Sequence, residues 1–316
     1  MLENVFESSR GFRATSVLLN DGHTMPMLGF GTAGIWNEQA PKIICDAIAA
    51  GFSLIDTAAY YKNERGIGRA LQSIPLNQPI FVTTKVWNCD QGYDKTIRAF
   101  EASLRRLGRE IVDLYLIHWP LPQQDKYTDT WRSLIRLRSE GRIRSIGVSN
   151  FTIPQLRRLI DDTGVTPAVN QVELHPRFQQ RELRAFHREM GIVTQAWSPL
   201  GGGTALMDPV VRAIASKHGC TQAQVILSWH LSLGISPIPK AASSEHLNDN
   251  AAAIKLALDA EDLGMIFELD EPNGRLGPDP ETLDLESSFV RWSRRISSLT
   301  KDPAHLGKRL RRFLSR

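Results

Sequence analysis

Cysteine is scarce in this 316-residue sequence: Cys45, Cys89 and Cys220 are odd in number and far apart. That pattern fits neither a disulfide framework nor a metal cluster, so the three are expected to be packing residues. His118 and His175 also lack a partnered ligand spacing, and no metal is expected. No apolar run approaches the ~18 residues of a membrane span. The start of the chain, with Glu3, Glu7, Arg10 and Arg13, has no signal-peptide core, and the cytoplasm is the expected location. No Gly-x-Gly-x-x-Gly is read after a strand, which removes the Rossmann route to a dinucleotide.

Charge of one sign is missing from most of the chain. The formal net charge is +4, but residues 286 to 316 carry nine Lys or Arg against two acids. Subtracting that +7 leaves −3 for residues 1 to 285. A near-neutral body is not expected to bind nucleic acid. Hydrophobic residues make up 42% of the sequence, enough for a sizeable core.

Short β-branched runs recur with helix-like segments between them. They are MLGFG (27 to 31), FSLID (52 to 56), IFVTTK (80 to 85), VDLYLIH (112 to 118), RSIGVS (144 to 149), AVNQV (168 to 172), IVTQAW (192 to 197) and ISPIP (235 to 239). PKIICDAIAAG (41 to 51) and TIRAFEASLRRLG (96 to 108) each carry one apolar face and a terminal Gly, as helices do. Eight such repeats without a linker predict a single α/β unit, a (β/α)8 TIM barrel. Asp21-Gly22 between apolar runs predicts an N-terminal β-hairpin able to plug the barrel bottom. The expected organisation is an N-terminal arm over 1–15, the barrel over 16–285 and a basic tail over 286–316.

In such a barrel chemistry sits at the C-terminal strand ends. There stand Thr32, Asp56, Lys85, His118, Ser149 with Asn150, Gln171, Trp197 with Ser198, and Lys240. Singly, each reads as a cap or a solvated residue; eight polar ends together do not. Asp56, Lys85 and His118 come from successive strands and would converge with Tyr60 or Tyr61. A phenol of pKa ~10 is a reluctant acid. A nearby ammonium lowers that pKa, a carboxylate holds the ammonium charged, and a neutral His can hydrogen-bond a substrate oxygen. The set is equipped to protonate a carbonyl oxygen.

The segments DTAAYYKNE, TTKVW, LIHWP, IGVSNF, NQVELHP, AWSPLGGG and IPKAASSEHLNDN together resemble the aldo-keto reductase superfamily, from about residue 16 to 283. The Trp in AWSPLG and the short loop after HWP resemble prokaryotic members related to 2,5-diketo-gluconate reductases. The resemblance implies NAD(P)H-dependent reduction of small aldehydes and ketones, keto-sugars and α-dicarbonyls among them. It selects Tyr61 as proton donor, assigns Asp56 and Lys85 to tuning it and His118 to orienting the carbonyl. It implies that Ser149, Asn150 and Gln171 hold the nicotinamide carboxamide and that Trp197 stacks on the ring. Amides around Ser198, Leu200 and Gly201 to Gly203 would meet the pyrophosphate, with Gly31 and Thr32 also in the cofactor surround. Lys240, His246, Asp249 and Asn250 would take the adenosine end.

Here the chain departs from the family pattern, which has Ser and Arg where Ala241 and His246 stand; Asp249 replaces a common Glu. His cannot make the bidentate fork of Arg, so NADPH is expected to remain preferred, by a reduced margin, with NADH as a secondary cofactor. Ser243 or Ser244 offers compensation. Trp36, Trp87 and Trp119 are expected to line the substrate mouth, and Ala33, where the family often has a bulky aromatic, predicts an open pocket. The protein is expected to be a monomer.

In the tail, Phe289, Trp292, Ile296 and Leu299, then Leu306, Leu310 and Phe313, recur at helical spacing among Arg and Lys. This predicts a basic helical extension that packs on the barrel or meets an anionic membrane or acidic partner. Two rival readings of the barrel are a Schiff-base enzyme using Lys85 and a cofactor-binding regulatory barrel without turnover. The Asp56 partner, which keeps Lys85 protonated, weighs against the first. The complete set of four weighs against the second.

Overall fold

The computed structural model describes residues 15–75 and 77–283. Most of the N-terminal arm and the whole basic tail lie outside the described residues. A two-stranded antiparallel hairpin, β1 (Ser16–Leu18) and β2 (Thr24–Pro26), comes first. Eight strands follow: β3 (Phe30–Gly31), β4 (Leu54–Asp56), β5 (Phe81–Val86), β6 (Val112–Ile117), β7 (Ile143–Ser149), β8 (Val169–Glu173), β9 (Val193–Trp197) and β10 (Ser236–Pro237). Each pairs in parallel with its sequence neighbour. The sheet closes where Gly29 N–H donates to the Pro237 carbonyl and Gly31 N–H to that of Pro239, both at 3.0 Å. The expected (β/α)8 barrel is therefore present. GFGTAG (29 to 34) has the spacing of a dinucleotide fingerprint, but its first two glycines are spent on this closure.

Single helices α1 (Ala40–Ala49), α2 (Glu64–Gln72), α3 (Tyr93–Leu107), α4 (Tyr127–Ser139), α5 (Ile153–Thr163) and α6 (Arg181–Glu189) cross between successive strands from β3 to β9. Two, α7 (Pro209–His218) and α8 (Gln222–Ser232), separate β9 from β10, and α9 (Ser244–Ala252) and α10 (Ala260–Phe267) complete the fold. Period-two alternation divides each strand between two cores. Ile55, Val82, Tyr115, Ile117, Ile146 and Val148 point outward and bury against helix residues such as Ile44, Phe100, Leu104 and Trp131. Leu54, Leu114, Leu116, Val169, Val193 and Ile238 point inward.

The hairpin closes the lower end of that interior. Met25 is fully buried among the inward side chains, and Asn20 Nδ2 donates to the carbonyl of Pro167, just before β8. Further along, inward positions of β4, β5, β8 and β9 present Asp56, Lys85, Gln171 and Gln195 instead of aliphatic groups. The interior thus changes from apolar to polar toward the C-terminal ends. Among the described residues no helix is long and apolar enough to cross a membrane.

Candidate active site

The polar end of the barrel gathers the four expected residues. Lys85 Nζ donates to Asp56 Oδ1 at 2.6 Å and to the Thr57 carbonyl at 2.9 Å. It also lies 5.2 Å from the centroid of the Tyr61 ring. Tyr61 ends a 3-10 turn, Ala59–Tyr61, that follows β4. The His118 ring stands edge-on to Tyr61 with centroids 5.7 Å apart. Tyr60 stacks on Trp87 at 3.9 Å, a packing arrangement distinct from that of its neighbour.

Burial dominates the electrostatics. It raises the Asp56 pKa, against which the Lys85 charge and hydrogen bonds from Lys85 and Gln171 act. It lowers that of Lys85, opposed by Asp56 and Glu64. Tyr61 is raised well above the usual phenol, first by burial and then by the charges of Asp56 and Tyr60. His118 is held well below an ordinary imidazole by burial and by Lys85, so its ring is neutral. The expectation that Lys85 lowers the Tyr61 pKa is corrected here. Asp56, 2.6 Å from the ammonium, offsets its charge, and desolvation of the phenolate then decides.

Two residues after Tyr61 fix it in place. Asn63, fully buried, accepts from Thr57 Oγ1 at 2.8 Å and donates to the Thr32 and Ile35 carbonyls. Glu64 opens α2, accepting from Thr84 Oγ1 at 2.7 Å and Arg106 Nε at 2.6 Å. The turn bearing Tyr61 is thus tied to β3, β4, β5 and α3. Both residues stand in the quoted YKNE segment, but Arg106 is 42 positions away from Glu64 and no local signal connects them.

The residues expected around a nicotinamide form one network. Ser149 Oγ donates to the Gln171 carbonyl at 2.8 Å, and Asn150 Nδ2 to the His118 carbonyl at 3.0 Å. Gln171 Nε2 meets Asp56 Oδ2 and Gln195 Oε1. Trp197 Nε1 donates to Asn150 Oδ1 at 2.8 Å. Gly31 is buried in the barrel closure, and Thr32 directs its N–H and hydroxyl at the Asp56 carbonyl. Beyond β9, Ser198 and Gly201, Gly202 and Gly203 all have positive φ, a turn in which amides can converge on an anion; Leu200 lies between them.

At the far side Lys240 remains accessible, while enclosure of its ammonium lowers its pKa. No carboxylate pairs with it among the described residues. His246 is exposed in the first turn of α9, capped by Ser243 Oγ; Asp249 is partly buried and Asn250 buried. An accessible cation without a counter-ion, a buried His118 Nδ1 without a protein partner and a turn of left-handed glycines fit a dinucleotide phosphate at one end and a carbonyl at the other.

The mouth differs from expectation in detail. Trp36 is 67% exposed, Trp87 is partly buried, and Trp119 is covered, packed with Leu121 and Leu283. Trp119 therefore backs the mouth. Leu283 belongs to a segment after α10 that returns across the strand ends. Thr152 Oγ1 donates to Glu281 Oε1 at 2.6 Å, and Gln123 Nε2 to the Glu281 carbonyl. Earlier in that segment, Leu276 and Gly277 donate to the Glu173 carboxylate at the end of β8. Glu173 lies in the quoted NQVELHP, yet only the fold reveals its partners.

A model of the aldo/keto reductase family matches residues 27–271. An aldo-keto reductase of Mycolicibacterium smegmatis is 48% identical over 269 residues, 85% of this chain and 98% of the relative. The methylglyoxal reductase DkgA of Escherichia coli K12 is 45% identical over 270 residues, covering 84% and 97%. Among solved structures, an Asp-to-Ala mutant of Gox0644 in complex with NADPH superposes with a TM-score of 0.83 at 46% identity, covering 85% of this chain and 98% of that one. A Bombyx mori aldo-keto reductase in complex with NADP gives 0.75 at 31%, covering 82% and 94%.

Proposed function

The chain belongs to the aldo/keto reductase family, and from that premise we propose that it reduces small aldehydes and ketones to alcohols with NADPH. The observation that carries this is the meeting of a protonated phenol, Tyr61, and a neutral imidazole, His118, beside the buried Asp56–Lys85 pair. When bound, the reduced nicotinamide supplies the hydride. His118 donates a hydrogen bond that orients the carbonyl oxygen, and Tyr61 gives that oxygen its proton as negative charge develops. An alkoxide is a stronger base than a phenolate, so the transfer is downhill even from a phenol of raised pKa. Lys85 lies beneath the ring, and with its charge largely offset by Asp56 the phenolate readily takes back a proton.

Asn150, Ser149 and Gln171 are the groups for the carboxamide, and Trp197 is the flat surface for the ring. Ser198, Leu200 and Gly201 lie where the pyrophosphate would run. Lys240 is the group for the 2′-phosphate, with His246, Asp249 and Asn250 on the adjoining helix. The NADPH preference rests on Lys240 alone among these, and NADH is the secondary cofactor. Trp36 and Trp87 border the substrate.

Small α-dicarbonyls are proposed substrates on the strength of the similarity to the methylglyoxal reductase DkgA, and keto-sugars on the resemblance carried by the AWSPLG segment and the short loop after HWP. Residues 16–285 are the catalytic unit, working as a cytoplasmic monomer. The basic tail is an appendage that packs on the barrel or meets an anionic membrane or acidic partner.

The test is NADPH consumption by the purified chain with methylglyoxal, simple aldehydes and keto-sugars. Turnover with at least one class, lost in Tyr61→Phe, is the expected result. Cofactor binding without turnover on any of them would overturn the reading in favour of a regulatory barrel.

A further inference from the structure

Glu173 is a buried carboxylate that the chemistry above does not use. Its side chain is fully covered at the end of β8, two residues past Gln171. Oε1 accepts the Leu276 N–H at 2.6 Å and lies 3.2 Å from His175 Nε2; Oε2 accepts the Gly277 N–H at 2.8 Å. A carboxylate reaching two adjacent amides, one with each oxygen, fixes the orientation of that dipeptide as well as its position.

The dipeptide is pressed against Trp197. A Cβ on Gly277 would stand 2.6 Å from Trp197 Cη2 and 2.8 Å from Glu173 Oε2, so only glycine fits between them. The indole is consequently restrained at three points. Its backbone lies in β9, where Trp197 pairs with Glu173 itself. Its Nε1 bonds Asn150 Oδ1. Its far edge abuts Gly277. Asn150 in turn donates to the His118 carbonyl, which extends the connection from Glu173 to the oxygen-orienting residue.

We propose that Glu173 is a positioning residue for the nicotinamide: it clamps Leu276–Gly277 behind the indole and so sets the plane on which the ring stacks. This rests on the reading of Trp197 as the stacking surface. The segment after α10 then belongs to the cofactor site as well as to the mouth. Gln cannot replace Glu, because an amide has one oxygen for two N–H groups and turns its own N–H2 toward the second.

The experiment compares Glu173→Gln and Gly277→Ala with the full-length chain, each also in a Trp197→Phe background. Measured are the NADPH Kd by fluorescence, KM for NADPH, kcat, and thermal unfolding. Both single variants are expected to weaken NADPH about tenfold while lowering kcat less. In the Trp197→Phe background, where the shorter ring does not reach Gly277, the same changes should shift Kd by less than about twofold.

If Glu173→Gln does not fold, Gly277→Ala tests the same contact with Glu173 intact. An equal loss in both backgrounds would overturn the proposal, since a purely structural role does not depend on the indole. So would wild-type Kd in both variants of a chain that turns over, with the proposed function left standing. A wild-type chain with neither NADPH binding nor turnover would overturn both.

Discussion

Two carboxylate–cation pairs are buried around β5, and they face opposite ways. Lys85 points into the barrel and meets Asp56 at 2.6 Å, with the two side chains 0% and 2% exposed. Its neighbour Thr84 points outward to Glu64, which meets Arg106 at 2.6 Å, but there the Arg side chain is 31% exposed. The distances are equal and the surroundings are not. Inside, neither charge can relax into water, both pKa values are displaced by burial, and the ammonium lies under a phenol. Outside, Arg106 reaches solvent and the pair joins α2 to α3. A short buried ion pair therefore does not by itself mark chemistry; the group it faces does.

The largest test of this contrast is the inner phenol. Tyr61→Phe should lower kcat for carbonyl reduction by about 10²- to 10⁴-fold and leave the NADPH Kd within about twofold. Tyr60→Phe, which keeps the ring stacked on Trp87 and removes only its hydroxyl, should stay within about twofold in kcat. The opposite ranking in a steady-state assay would show that the inner pair serves Tyr60.

Acid should strike the outer layer and spare the inner one. Burial lowers His187 to about 3 and His230 to about 4, both from 6.5. A folded pKa below the unfolded one means that the neutral form is bound up in the fold. The stability is whole above pH 6.5 and is lost as pH falls from there toward those values, up to roughly 3 kcal/mol for His230 and about 5 kcal/mol for His187. Meanwhile kcat for reduction should stay level from pH 6.5 to 9, because Tyr61 remains protonated and His118 neutral throughout. Alcohol oxidation, which needs the phenolate, should rise with pH. Denaturant titrations at pH 5 and 7 beside pH–rate profiles check both halves.

Exchanging the carboxylates should separate the pairs by kind of damage. Asp56→Asn is expected to cut turnover about a hundredfold. Glu64→Gln is expected to cost about 2 kcal/mol of stability, less than a fully buried pair because Arg106 can turn to water, with a smaller change in kcat. Equal turnover losses would erase the distinction.

Smaller effects lie farther out. His246→Arg should tighten NADPH about tenfold and change NADH less than about twofold. Equal changes in the two dissociation constants would place residue 246 away from the 2′-phosphate. Smallest of all, a chain ending at Ser287 should keep its kcat, while the full-length chain alone co-sediments with anionic vesicles at low salt. Sedimentation of both, or of neither, removes the membrane reading of the tail.

Much of the frame could be read from local pattern. The eight strands, the hairpin and the polar strand ends were legible because β-branched runs and turn residues act within a few positions. The start of α3, placed three residues late at Thr96, was not, since its first turn carries little apolar signal. Long-range partners were invisible for the same reason. Glu173 finds its two amides more than a hundred positions downstream, and Glu64 finds Arg106 only across two helices. The direction of the Tyr61 shift was not legible because sequence places a lysine and its carboxylate near the phenol but does not show how completely the fold removes that phenol from water.

The closure of the barrel bears on what assembly of the molecule costs. Gly29 and Gly31 donate to carbonyls of Pro237 and Pro239, and those prolines have no N–H to give in return. The seam is therefore bonded by donors from one strand only, across the widest sequence separation in the sheet, and so carries the largest loop-closure cost of its pairings. Lys240 follows Pro239 directly, and Gly34 lies beside its ammonium. The cation proposed for the 2′-phosphate is thus set beside the pairing that costs the most chain entropy to close, whereas Asp56 and Lys85 stand on strands paired with their sequence neighbours.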